Sequence, residues 1–457
     1  MSSTIQVQHL FSPQTYALLV QLKQLTVPIL ITQLAQIGMA TIDTLMSGHV
    51  GTADLAAIAI GSSLWTPAFL FVAGVLVAFT PMVAKLAGAR QKDQIPALLG
   101  SAVWAGLLIG SLCAVLLYMA GPWVSFLLPD ETSAQLMIEY LQAVCFGLPA
   151  AGGFLALRFH AEALNQPGSV TRLMLIGLVL NIPANAIFVY GWFGIEAMGG
   201  AGCGWGTSII FNILFIAILW DCYAHRLPVQ FKSIAVFFRA DLNTMRDLFK
   251  TGIPIGSAIF FEVSFFSVIA LFLSPLGTIV VAGHQVAINV SSLTFMVPLS
   301  VAMAVTVMVG QQLGKGQPEL ALKASWLSVK VNLALAVFNA SLIFIFADAI
   351  AALYSKDPEV VAIGATLLAL AAIYQFSDAI QIAAAGALRG YEDTVMVMLI
   401  TFLAYWVCGI GLGYYLTFIY QPELGAKGFW LGIIFGLTLA AFMLGLRLHR
   451  VGHKSLQ

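Results

Sequence analysis

Long apolar stretches, each close to the length of a membrane span, follow one another along the chain and are separated by short polar segments. A helix that crosses a bilayer needs about 20 mostly apolar residues, and the pattern predicts twelve of them. The predicted spans lie near residues 21–47, 53–82, 96–120, 134–157, 169–192, 201–222, 251–275, 281–311, 322–346, 360–386, 395–420 and 426–447. The pattern therefore predicts an all-α integral membrane protein.

Composition supports the same class of protein. Of the 457 residues, 60% are hydrophobic and 9% are charged, whereas soluble domains carry about 25% charged residues. The formal net charge of zero gives no reason to expect nucleic acid as a partner. The five cysteines show no Cys-x-x-Cys spacing, which favours small core residues over a disulfide or zinc framework. The polar opening segment lacks the basic region and cleavage site of a signal peptide.

The distribution of lysine and arginine predicts the orientation of the spans, because these residues concentrate in cytoplasmic loops. With a cytoplasmic N-terminus and twelve spans, 18 of the 20 Lys and Arg residues fall on the inner side. Only Lys356 and Lys427 fall outside. Eleven or thirteen spans would break this asymmetry in one half, so both termini are predicted to be cytoplasmic.

The two halves of the chain resemble each other. The segment Thr26–Ile29 matches Gly252–Ile255 at an offset of 226 residues (254 minus 28), and Met82-Val83 matches Met308-Val309 at the same offset. Six spans per half make the halves parallel repeats, which in transporters rock about a cleft to give alternating access. Chance similarity among apolar helices is the alternative. The predicted organisation is a cytoplasmic segment 1–16, a first lobe 17–222, a basic cytoplasmic loop 223–250, a second lobe 251–447 and a cytoplasmic tail 448–457.

Two acidic residues of the second half are predicted to lie at membrane depth. A carboxylate at the bilayer centre costs about 2.5–3.5 kcal/mol on the insertion scale, so Glu262 and Asp378 need a cavity or a bound cation. Both lie about 12–15 Å above the cytoplasmic ends of their spans at the helical rise. Tyr374, one turn before Asp378, adds a hydroxyl on the same face. The prediction is a cation-coupling site, here a Na⁺ or H⁺ site; two neutral acids in a packed core are the alternative.

A second polar group is predicted in the first half. Asp43 lies in the outer part of the first span, and Asn181, Asn185 and Thr207 are its candidate companions in a hydrated pocket. The alternatives are an Asp43 already wetted at the interface and amide or hydroxyl groups that only join helices.

Three further polar residues lie in or at the ends of the predicted spans of the second half. His284 and Gln285 in the outer part of the eighth span are candidates for lining the cleft, and a satisfied interfacial histidine is the alternative. Arg389, at the inner end of the tenth span, is expected to extend to the lipid headgroups.

Known catalytic and nucleotide-binding motifs are missing from the sequence. It contains no G-x-G-x-x-G, P-loop or H-E-x-x-H motif, and no G-x-S-x-G in the right context. Uphill transport would therefore draw on an ion gradient, and the protein is predicted not to be an enzyme.

Seven segments that include the polar residues above form a distinctive set along the chain. They are Ala35–Thr44, Leu180–Gly191, Gly199–Gly204, Phe260–Val263, Ala282–Gln285, Tyr374–Asp378 and Leu388–Thr394. In these segments the chain resembles the multidrug and toxic compound extrusion family, in its bacterial NorM-type branch. The similarity covers nearly the whole chain with matching order and spacing.

The resemblance implies a two-lobed, twelve-helix antiporter of the bacterial inner membrane. Such a protein exports hydrophobic organic cations in exchange for Na⁺ or H⁺ and needs no cofactor, and we expect a monomer in the lipid bilayer. Glu262 and Asp378, with Tyr374 nearby, match the family's cation site, so a Na⁺ site is expected there. Asp43 and Asn181 match its first-lobe pocket, whereas position 185 carries Asn where some relatives carry Asp, which favours Na⁺ coupling at the second lobe.

Two other functions are consistent with parts of this pattern. A lipid-linked glycan flippase could share a two-lobed fold, but a basic cleft would be expected for its pyrophosphate group, whereas the charges at membrane depth are acidic. A membrane-embedded hydrolase could use Glu262 and Asp378 as a catalytic dyad.

Overall fold

The computed structural model describes residues 12–124, 131–224 and 240–457, and within these ranges the chain forms helices and no strand. Twelve helical spans, α1–α12, follow one another. The first six are α1 Pro13–Val50, α2 Thr52–Val77 continued by Phe79–Gly88, α3 Ile95–Val124, α4 Glu131–Cys145 continued by Leu148–Ala163, α5 Pro167–Val189 and α6 Gly202–Tyr223. The others are α7 Leu242–Leu273, α8 Thr278–Gly314, α9 Pro318–Ile345, α10 Pro358–Gly390, α11 Thr394–Tyr420 and α12 Ala426–Lys454.

The lengths and apolar composition of these helices confirm the predicted integral membrane fold. In the described ranges, eleven helices are long and apolar enough to cross a bilayer, and α4 makes twelve as a pair of helices bent by 44°. The bend falls where Gly147 is followed by Leu148 and Pro149, and Pro149 lies in the first turn of the second piece. A proline tolerates that position because the first N–H groups of a helix have no partner inside it.

The described residues divide into two compact units. The first unit is Pro28–Gly256, and the second unit is Ser257–Gln457 with the described part of Met1–Val27. The boundaries between them therefore fall inside α1 and α7. Most of the predicted basic loop 223–250 and most of the predicted segment 1–16 lie outside the described residues, and the exact lobe bounds remain a prediction.

Glycines bring helices of the first unit into close contact. Gly106 of α3 and Gly152 of α4 face each other so closely that a Cβ atom on either would overlap the carbonyl oxygen of the other. Small residues allow this approach, which favours helix association inside a membrane. The arrangement fixes α4 against α3.

The second unit uses a similar contact between α8 and α10. A Cβ atom on Gly386 of α10 would lie 2.5 Å from the carbonyl oxygen of Ala302, and the Thr306 hydroxyl donates a 2.7 Å hydrogen bond to the Gly386 carbonyl. An aromatic core that includes Phe265, Tyr405 and Trp430 joins the remaining helices of this unit. This packing holds α7, α10 and α11 together around the predicted acidic pair.

Candidate ion and substrate sites

Asp43 lies at the centre of a hydrogen-bonded polar group in the first unit. Its side chain is 8% exposed. The Asn185 amide donates to Oδ1 over 2.6 Å and the Thr207 hydroxyl donates to Oδ2 over 2.9 Å. Helices α1, α5 and α6 each contribute one of these residues, and both carboxylate oxygens are satisfied.

Asn181 is the fourth residue of the polar group that the sequence predicts. It lies one turn before Asn185 on α5 and accepts a 3.3 Å hydrogen bond from the Asn185 amide. Both asparagines are buried, and the Asn181 side chain also interacts with the Asp43 carboxylate. Asn185 Oδ1, which accepts no hydrogen bond, lies against Gly206.

The sequence reading missed the residues that fix this group in place. Ser47 donates to the Asp43 carbonyl over 2.6 Å and lies 3.3 Å from the Cys203 sulfur. A Cβ atom at Gly206 would collide with Asn185 Oδ1, so the missing side chain makes room for the amide. Tyr140 of α4 lies within electrostatic range of Asp43. The closely spaced glycines at the start of α6, Gly202, Gly204 and Gly206, are the sequence signal that could have indicated close packing here.

In the second unit, the structure brings the predicted acidic residues together. Glu262 of α7 is partly buried and Asp378 of α10 is 4% exposed. The two carboxylates lie within electrostatic range of each other. Tyr374 is buried one turn before Asp378 and its hydroxyl interacts with the Ser291 side chain of α8.

Two residues of this cluster were not found from the sequence. Tyr405 lies in a π-helical part of α11, Leu403–Gly409, and is within electrostatic range of both acids. Gln381 of α10 donates to the Tyr405 hydroxyl over 2.7 Å. A π-helical turn has no clear sequence signature, although such turns occur frequently at functional sites.

The position of Arg389 differs from the expectation. The sequence predicted a side chain reaching the headgroups, but the structure shows it 5% exposed and within electrostatic range of Glu262. The physical reason is the close packing of α8 on the end of α10, where a Cβ atom on Gly390 would overlap Val309. Arg389 is thereby enclosed, and its charge faces the acidic cluster.

His284 and Gln285 differ in their burial. His284 is fully buried, and its Nδ1 accepts a 3.2 Å hydrogen bond from the Trp430 indole. Its Nε2 has no partner. Gln285 is exposed. The structure therefore places His284 in the packed interior of the second unit, and a role of the two residues in lining the cleft stays a prediction.

The described residues contain no group of three or more His, Cys, Asp or Glu side chains that could hold a metal ion. Glu262 and Asp378 supply two carboxylates, and neutral oxygens of Tyr374, Tyr405 and Gln381 belong to the same neighbourhood. Carboxylate and carbonyl oxygens are ligands for hard cations. The arrangement offers oxygen ligands that suit a hard cation and carboxylates that can hold a proton.

Comparisons with known proteins place this architecture in one family. The family model described as MatE matches residues 28–187 and again residues 254–415, and the two matches begin 226 residues apart, which is the offset of the internal repeat. The multidrug resistance protein MdtK of Yersinia pseudotuberculosis is 42% identical over 429 residues, which is 93% of each chain.

Solved structures agree on the fold. A eukaryotic MATE transporter matches with a TM-score of 0.86 at 20% identity, covering 97% of this chain and 99% of that one. The MATE transporter VcmN of Vibrio cholerae matches with a TM-score of 0.87 at 18% identity, covering 98% and 100% of the two chains. The predicted two-lobed helical architecture is confirmed.

Proposed function

The chain belongs to the MatE family of multidrug and toxic compound extrusion transporters, and we propose that it exports hydrophobic organic cations in exchange for Na⁺ or H⁺. It is a multi-pass membrane transporter and not an enzyme. Export of drugs is supported by the name of the MdtK relative, a multidrug resistance protein.

The observation that carries the antiport proposal is the pairing of Glu262 with Asp378 inside apolar helices. Two nearby carboxylates repel each other, so the pair is stabilised when it binds a cation or shares a proton. The cost of placing carboxylates at membrane depth is about 2.5–3.5 kcal/mol each on the insertion scale. A cation that binds to the pair offsets that cost, so the proposal makes the pair the binding site of the coupling ion.

Asp43 and its partners form the proposed site for the substrate or a proton. An organic cation that leaves water loses hydration, and a carboxylate in an enclosed polar group compensates for that loss. Exchange follows if binding of the coupling ion favours the conformation that releases the drug, as in alternating access.

We further propose that the protein lies in the bacterial inner membrane with both termini in the cytoplasm. The distribution of Lys and Arg along the chain supports this orientation. Reporter fusions at the C-terminus test it: a fluorescent protein that folds in the cytoplasm should be bright, and periplasmic alkaline phosphatase should be inactive. An active phosphatase would contradict the orientation.

Transport assays in proteoliposomes test the antiport proposal. Na⁺ and H⁺ gradients are imposed separately, and movement of a fluorescent cationic dye is followed for Glu262→Gln and Asp378→Asn. Both variants should lose ion-driven dye export while protein level and membrane insertion stay near normal. Glu359→Gln is the matched control, because it makes the same chemical change at the exposed start of α10. Unchanged export in the Glu262 variant would remove the pair from the mechanism.

A further inference from the structure

Gln381 carries a buried oxygen that no described residue satisfies. Its side chain is 2% exposed, its Nε2 donates to the Tyr405 hydroxyl over 2.7 Å, and its Oε1 has no hydrogen-bond partner. Buried polar atoms in proteins almost always have a partner, and an exception calls for an explanation. A bound cation that takes this oxygen as one of its ligands is one such explanation.

The position of Gln381 links this oxygen to the acidic pair. Gln381 lies three residues after Asp378 on α10, so the two side chains are neighbours on one helix face. Its partner Tyr405 lies within electrostatic range of Glu262, Asp378 and Tyr374. The free amide oxygen is therefore part of the same cluster as the two carboxylates.

Two contacts between α11 and α7 fix the position of Tyr405. The Tyr405 ring stacks on Phe265 of α7 with ring centroids 5.2 Å apart. The next residue, Trp406, donates through its indole to the Phe261 carbonyl over 3.0 Å. Phe261 directly precedes Glu262, so α11 is anchored to α7 beside that carboxylate. Tyr405 thereby orients Gln381 relative to the acids.

The charges of the cluster match one monovalent cation. Glu262 and Asp378 carry two negative charges when ionised, and the buried Arg389 guanidinium within range of Glu262 carries one positive charge. One negative charge remains to be balanced. A single alkali cation or a single proton balances it, and of the two only the alkali cation needs several oxygen ligands.

We propose that Gln381 is a ligand of the coupling cation, binding Na⁺ through Oε1 together with Glu262 and Asp378, and that Tyr405 positions it. This inference rests on the proposed antiport function. An alkali cation needs several oxygen ligands and the neutral amide oxygen supplies one, whereas a proton is bound by a carboxylate and gains at most one hydrogen bond to the amide oxygen. Gln381 therefore favours Na⁺ more than H⁺ at this site.

The test compares Na⁺ binding and transport in three variants. Binding of radiolabelled Na⁺ to purified protein in nanodiscs gives the affinity, and proteoliposomes with a cationic dye give Na⁺-driven and H⁺-driven export. Gln381→Leu should weaken Na⁺ binding by at least the ~10- to 100-fold that is typical of losing an outer-sphere partner of a metal ligand. Gln381→Glu retains an oxygen at the position and should keep Na⁺ binding. Tyr405→Phe should weaken Na⁺ binding less than Gln381→Leu does, because Oε1 remains.

Gln312→Leu is the matched control. Gln312 is also buried in the second unit and also has an unpartnered Oε1, but it lies near the end of α8 and outside the acidic cluster. The Gln312→Leu variant should bind Na⁺ with the affinity of the wild-type protein. A thermal melt of each variant confirms that binding is compared between folded proteins.

The outcomes separate this inference from the proposed function. If Glu262→Gln and Asp378→Asn retain Na⁺ binding and export, the proposed function fails. If those variants lose both while Gln381→Leu binds Na⁺ like Gln312→Leu, the role of Gln381 alone is overturned. If the wild-type protein exports dye only with an H⁺ gradient and binds no Na⁺, the inference is also overturned, and proton-driven antiport survives.

Discussion

The Asn185 amide donates a 2.6 Å hydrogen bond to Oδ1 of Asp43, which joins α5 to α1 inside the first unit. Thr207 donates to the other carboxylate oxygen over 2.9 Å. Both oxygens act as acceptors, which suits the ionised form of the carboxylate. The neutral partners of Asp43 therefore give its carboxylate hydrogen bonds and no compensating charge.

Replacing Asn185 with Asp should make drug export depend more steeply on pH. The change puts a second carboxylate within hydrogen-bond distance of Asp43, and two carboxylates at that separation share one proton. Dye export by Asn185→Asp and by the wild-type protein would be measured across a pH series under a fixed Na⁺ gradient. Identical pH profiles of the two proteins would contradict this prediction. Asn185→Ala serves as the control for loss of the amide alone.

A methyl group at Gly206 should disrupt the Asp43 group. In Gly206→Ala the added Cβ atom overlaps Asn185 Oδ1, so the amide must move and its hydrogen bond to Asp43 is lost. We expect reduced dye affinity with the protein still inserted in the membrane, measured by a dye-binding titration on purified protein. Gly168→Ala is the control, since a Cβ atom there has no neighbour within 4 Å. Equal dye affinities in the two variants would contradict the role of Gly206.

The ion pair between Arg158 and Glu162 predicts an asymmetric response to mutation. The two side chains are 3% and 2% exposed and 2.8 Å apart on α4, and Arg158 also donates to Gln33 over 2.8 Å. Removing only one partner leaves an uncompensated buried charge, which costs about 3–5 kcal/mol. Glu162→Leu alone should therefore lower the melting temperature more than Arg158→Met combined with Glu162→Leu. A double variant that is less stable than the single variant would contradict this explanation.

Asp241 precedes α7 and should stabilise its start in a pH-dependent way. The Thr244 hydroxyl and backbone N–H donate to its carboxylate over 2.6 and 3.0 Å, and these hydrogen bonds lower the pKa of Asp241. A lowered pKa means that the stabilisation is present above the ordinary aspartate value of about 3.9 and is lost as the pH falls through the folded-state pKa.

Thermal melts at neutral and acidic pH check this prediction. Asp241→Ala should lower the melting temperature at neutral pH, and the difference from the wild-type protein should shrink toward acidic pH. Asp241→Asn can still accept the hydrogen bonds, so it is the control and should melt close to the wild-type protein at neutral pH. A deficit of Asp241→Ala that is independent of pH would rule out the ionised cap.

Much of the fold followed from local pattern. Each predicted span corresponds to a helix, because about 20 apolar residues in a row have few stable arrangements other than a membrane helix. The repeat could be recognised in the sequence because prolines such as Pro28 and Pro254 occupy equivalent positions in α1 and α7. The bend in α4 was not predicted, since a run of apolar residues across Gly147 also suits one continuous span.

The sequence by itself determined which residues are costly in a membrane: Asp43, Glu262 and Asp378 stand out because hydrocarbon does not solvate carboxylates. Only the tertiary structure decided which neutral groups surround them. Tyr405 reaches the acidic pair from a π-helical part of α11, and Arg389 is turned inward by the packing of α8 on α10. Those placements depend on contacts between helices that lie far apart along the chain. The local pattern of apolar and polar residues does not predict such contacts.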